Sequence, residues 1–153
     1  MPRLSLFAPC ERVILGQGDN SASLIVVIQQ IQFQGLAGQP PVLPPLGAGV
    51  PGRFSLFSQW YQLPTDGNTI FEQRITLSTG NENPVLEAMT EFQMTDRVHR
   101  LIANVIGFPF MNPGEYSLKL FLRPKGQQNW GNAIADYPLE VAHILQPAIP
   151  ANQ

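Results

Sequence analysis

Charge is scarce in this chain. Charged side chains make up 13% of its 153 residues, about half the usual share of a globular protein. The formal net charge is −2, and the nine basic residues are scattered without a run. Phosphate backbones demand clustered lysine and arginine, so nucleic-acid binding ranks low. There is a single cysteine, Cys10. No internal disulfide can form, which excludes a small disulfide-stapled scaffold. Two histidines, His99 and His143, are too few for a zinc site without converging partners. No apolar stretch approaches the roughly 18 residues of a membrane helix. No window keeps a helical period of 3.6 through three uninterrupted turns.

Glycine and proline are abundant, at 13 and 15 residues. They fall between apolar runs, where they punctuate short strands. The length suits one domain that needs no staples. A first strand is expected over Leu4 to Leu15, then a turn at Gly16 to Asn20, then one long strand from Leu24 to Phe33. Residues 38 to 52 hold five prolines and four glycines and read as an ordered loop or polyproline stretch, not a strand. Asp66-Gly67 between Arg53–Tyr61 and Ile70–Thr79 is a hairpin signal. That register sets Leu56 against Leu77, Ser58 against Ile75 and Trp60 against Gln73. On the opposite face Phe57, Gln59 and Tyr61 meet Thr76, Arg74 and Glu72.

Val85 to Met94 alternates, and Arg97 to Phe108 follows a turn at Thr95-Asp96. These two either pair as a hairpin, with Glu91 against Arg100, or cross between sheets. Asn112-Pro113-Gly114 turns the chain into a strand whose Tyr116, Leu118, Leu120 and Leu122 share one inward face. Ala135 to His143 closes the domain with Tyr137, Leu139 and Val141 inward, and Pro138 favours an edge position. Residues 1–145 form the domain, and 146–153 a flexible tail.

The segment Pro113-Gly114-Glu115-Tyr116-Ser117-Leu118 followed by Pro138-Leu139-Glu140-Val141 resembles the closing strands of immunoglobulin-like sandwiches. A tyrosine there opens a core strand two residues before a cysteine; here Leu118 stands in the cysteine's place. The wider order resembles an uncharacterised bacterial β-sandwich family of unknown function, from the first strand through the proline-rich loop and Arg53-Phe54 to the Pro-Gly-Glu-Tyr strand. That resemblance implies a fold and no activity.

Candidate chemistry weighs lightly against plain structural roles. Cys10 with His99 or His143 lacks any activating motif, and buried cysteine usually acts as a small hydrophobe. His99 is expected beside Phe92 at a sheet end, and His143 near the exposed end of the last strand. Glu87 and Glu91 form a solvated face. Asp19-Asn20 and Asp66-Gly67-Asn68 are turn residues before they are calcium ligands. Pro41-Val42-Leu43-Pro44 fits a PxxP ligand but has no adjacent cation. The segment from Met1 to Cys10 faintly resembles a lipoprotein signal, yet its apolar part falls short of about 7–15 residues.

The expectation is an all-β, antiparallel two-sheet β-sandwich of about eight strands, immunoglobulin-like. Phe57, Tyr61 and Phe121 fall on otherwise polar strand faces and are the candidate interface. The favoured function is a non-enzymatic protein-interaction or structural module, cytoplasmic, with a protein partner or self-association as a homo-oligomer. No cofactor, metal, nucleic acid or membrane is implied. The alternative is a small-ligand or carbohydrate-binding domain with Trp60, Tyr61 and Trp130 stacking on sugar.

Overall fold

A computed structural model describes residues 1–16, 21–34, 45–79 and 84–144. Among the described residues none is helical, and the chain forms two packed sheets, one of them curled as a half-barrel. The described residues hold nine strands: β1 (Arg3–Leu15), β2 (Ala22–Val27), β3 (Gln30–Gln34), β4 (Gly49–Tyr61), β5 (Ile70–Ser78), β6 (Leu86–Gln93), β7 (Val98–Pro109), β8 (Gly114–Pro124) and β9 (Ala135–Ile144). The four-stranded sheet runs β2-β1-β4-β7, and the five-stranded sheet runs β3-β9-β8-β5-β6. All ladders are antiparallel except β3 with β9.

The β8 strand shows most directly how the residue pattern makes the core. Successive side chains of a strand point to opposite faces. Tyr116, Leu118, Leu120 and Leu122 are all buried, while Ser117, Lys119 and Phe121 face the other way, only half-covered. Opposite them lie Phe54, Leu56 and Trp60 of β4, and Ile75 and Leu77 of β5 complete the layer. The start of β8 is pinned: the Tyr116 hydroxyl donates to the Asn112 carbonyl at 3.1 Å. Gly114, at φ 146°, supplies a backbone angle closed to other residues.

Four expectations are corrected by the strand partners. Residues 24–33 form two strands, β2 in the four-stranded sheet and β3 in the other. The break falls at Ile28-Gln29, just past Val26, which takes φ 49° near the end of β2, and the chain crosses from one sheet to the other. Residues 49–52, expected in a loop, open β4; Gly49 pairs with Pro109 and Val50 with Phe108. Residues 38–44 lie outside the described residues, as does the tail 146–153.

The Asp66-Gly67 turn joins strands of different sheets. β4 pairs with β1 and β7, and β5 pairs with β6 and β8. The two strands stack across the core instead of sharing a ladder. The same happens between β6 and β7, where the crossing alternative is the one observed. Finally, Pro138 lies in β9, which has β3 and β8 on its two sides. β3 pairs only from Glu140 onward, so Pro138 sits where β9 has a ladder neighbour on one side alone. A missing N–H is harmless there.

Candidate interaction surface

The two outer faces of the sandwich differ in chemistry. On the five-stranded sheet, the charges along β5, β6 and the end of β8 pair with one another. Arg123 Nε donates to Glu72 at 2.5 Å, Arg74 to Glu87 at 3.0 Å, and Lys125 to Glu91 at 2.7 Å. The Arg123 guanidinium lies 4.0 Å from the centre of the Trp130 ring, and Arg74 lies 5.7 Å from both Phe121 and Trp130. Glu87 and Glu91 therefore pair within this sheet, not with Arg100, which is on β7.

The outer face of the four-stranded sheet has a different inventory. Residues directly opposite in a ladder point to the same side. The register aligns Leu6 with Gln59, Ala8 with Phe57, and Cys10 with both Ser55 and Val27. It continues through Arg12 with Ile25, Phe57 with Ile102, Ser55 with Asn104 and Arg53 with Ile106. Leu6, Ile14, Ile25, Val27, Ile102 and Ile106 are all exposed on this face. Arg3, Arg12, Arg53 and Arg100 share it. Arg100 is held by Gln59, whose Oε1 accepts from Nε at 2.8 Å.

The three aromatics expected at an interface meet different fates. Phe57 does face away from the core cluster, but it is 0% exposed. It serves as a buried filler beside Ala8 and Ile102, not as an exposed anchor. Tyr61 is exposed at the end of β4. Phe121 is half-buried on the other sheet, under Arg74. The fold does not bring the three together. The sugar-stacking set fares likewise: Trp60 is wholly buried, with its indole N–H donating to Gln73 at 2.9 Å. Trp130 offers its ring to Arg123.

Other candidate groups are dispersed. Cys10 is buried, its thiol donating to the Ser55 carbonyl at 3.7 Å, and burial raises its pKa. His99 stacks on Phe92, ring centres 4.9 Å apart at 12°, as expected from the strand pattern. His143 is half-buried, packs against Phe33 and Phe110, and contacts the Met111 carbonyl at 2.7 Å. Asp66 is buried, and its carboxylate accepts the Leu63 N–H at 2.7 Å and pairs with the Met1 ammonium at 2.9 Å. One oxygen is thus engaged in the turn, and the other lies against the Met1 ammonium. Asp19-Asn20 and Pro41 to Pro44 lie outside the described residues. A concavity of about 530 Å³ at the β8–β9 ladder is bordered by Tyr137 and by Glu115 and Glu140, which face each other in register.

The exposed isoleucines were missed by the sequence reading. A signal existed: Leu101-Ile102-Ala103-Asn104-Val105-Ile106 is apolar on both strand faces except at Asn104. Among the described residues, no helix is long and apolar enough to cross a membrane. The chain matches no family model, no curated protein and no solved structure.

Proposed function

We propose that this chain is a non-enzymatic protein-interaction module on an immunoglobulin-type Greek-key frame. What supports the frame is the strand order: β9-β8-β5-β6 parallels strands G-F-C-C′, and β1-β4-β7 parallels A-B-E. The Tyr116–Asn112 bond supports this frame, since it has the form of a tyrosine-corner contact. The inter-sheet disulfide of antibody domains has no counterpart, because Cys10 is the sole cysteine.

The observation that carries the functional reading is the outer face of the four-stranded sheet. Six aliphatic side chains are exposed there, with arginines among and beside them. Exposed apolar area with arginine at its margins suits a protein partner. The paired charges of the opposite face offer far less to such a partner.

The test compares wild type with an Ile14→Glu/Ile25→Glu double variant, each fractionated by size within an extract of the native host. The expected result is a wild-type complex well above the mass of the chain and its loss in the variant. A wild-type chain that migrates as a monomer in the extract overturns the reading.

A further inference from the structure

Every open sheet has edges, and proteins normally blunt them with short strands, charges, prolines or bulges. Three of the four edges here follow that rule. β2 has six residues and β3 five. β6 carries Glu87 and Glu91. The fourth edge, β7, has Arg100 near one end and Pro109 at the other and is unprotected between them. It runs for 12 residues, and among the described residues β4 is its single ladder neighbour. From Leu101 to Ile106 it has no charge and no proline.

Its side chains on both faces are incompletely covered. Leu101, Ala103 and Val105 pack against the core yet stay half-buried. On the outer face Ile102 and Asn104 are exposed, and Ile106 is 76% exposed. A core-facing row left half-wet and an outer row of isoleucines are what a missing neighbouring strand leaves behind.

We infer that β7 pairs antiparallel with β7 of a second copy, joining two four-stranded sheets into one; this rests on the reading of the chain as a protein-interaction module. The residue order makes the edge self-complementary. With the two-fold axis at Asn104, Asn104 of each copy faces its counterpart. Ile102 of one copy then faces Ile106 of the other, twice over. On the core side Ala103 faces Val105 in the same way. An isologous contact requires such mirrored pairing, and a register slip by one residue would send the isoleucines to opposite faces. The axis runs perpendicular to the sheet, so both arginine-flanked outer faces end on the same side. The dimer thereby doubles the proposed binding face as one continuous surface.

The experiment is sedimentation of the purified full chain at about tens of micromolar, the range in which modest interfaces still populate. Wild type is expected at twice its 16.9 kDa monomer mass. Ile106→Lys, a change at an exposed site, is expected to run as a monomer with an unchanged circular-dichroism spectrum. Asn104→Cys is expected to form a covalent dimer under mild oxidation, because facing Cβ atoms stand about 4.5–5.5 Å apart. Ile102→Cys, displaced from its own counterpart, is expected not to cross-link, and wild type with its buried Cys10 is the control. A dimer that survives Ile106→Lys, or one that Ile102→Cys links and Asn104→Cys does not, overturns the inference. So does a wild-type monomer in the purified sample. If that monomer still enters a complex in host extract, the module reading stands without the homodimer; if it is monomeric there too, both fall.

Discussion

The Trp60 indole nitrogen and the Gln73 side-chain oxygen meet at 2.9 Å across the gap between the two sheets. The Ser58 hydroxyl donates to the same oxygen at 2.7 Å. One buried amide oxygen thus satisfies two donors from β4, and its two lone pairs are both used. This small polar knot ties the sheets at the end nearest the Asp66-Gly67 turn.

Replacing Gln73 with Leu keeps the volume and orphans two buried donors. Each orphan costs about 1–3 kcal/mol. Gln73→Leu is therefore expected to destabilise by about 2–6 kcal/mol in urea denaturation. Adding Ser58→Ala and Trp60→Phe should recover part of that loss, since the stranded donors are then gone. A triple variant less stable than Gln73→Leu alone by several kcal/mol would show that packing, not satisfaction, dominates the site.

Leu120 is fully buried at the centre of β8. Leu120→Ala should cost about 2–5 kcal/mol, the lost transfer energy plus the cavity left behind. Thermal and denaturant unfolding measure this directly. A loss below about 1 kcal/mol would mean the core relaxes to fill the space.

His99 is desolvated by its stack on Phe92, which lowers its pKa below the usual 6.5, and Asp96 opposes the shift only in part. The unfolded chain therefore binds a proton at a higher pH than the folded chain does. Stability rises with pH where the unfolded state holds more protons. The contribution is fully present above 6.5 and is lost as pH falls below that value. Denaturation midpoints measured from neutral to mildly acidic pH should decline in wild type and decline less in His99→Phe. Equal slopes would remove His99 from the account.

Val26 adopts φ 49° with an exposed side chain. A β-branched residue in the left-handed region is strained by about 1–3 kcal/mol. Glycine relieves the strain and gives back about 0.5–1 kcal/mol in chain entropy. Val26→Gly is expected to stabilise the fold by up to about 2 kcal/mol. Val26→Pro, whose ring holds φ near −65°, should instead prevent the crossing between sheets and destabilise strongly.

Local alternation was enough to orient the strands. The inward rows of β8 and β9 and the stacking of His99 on Phe92 follow from the two-residue period and from where turns fall. All-β character, likewise, needs only the punctuation by glycine and proline. What the sequence could not decide is which strands share a ladder. Asp66-Gly67 brings the ends of β4 and β5 together whether they pair edge to edge or stack face to face. In both arrangements Trp60 lies opposite Gln73, so the local pattern cannot tell them apart. The choice depends on β1, β7, β6 and β8, which compete for the edges of β4 and β5 from far along the chain. The same competition splits residues 24–33 between two sheets, because both halves are equally good strand formers. It also decides exposure. Phe57 is buried and Ile106 is wet because covering an outer face depends on neighbouring strands. That makes it a property of the assembled sandwich, which no single strand's alternation encodes.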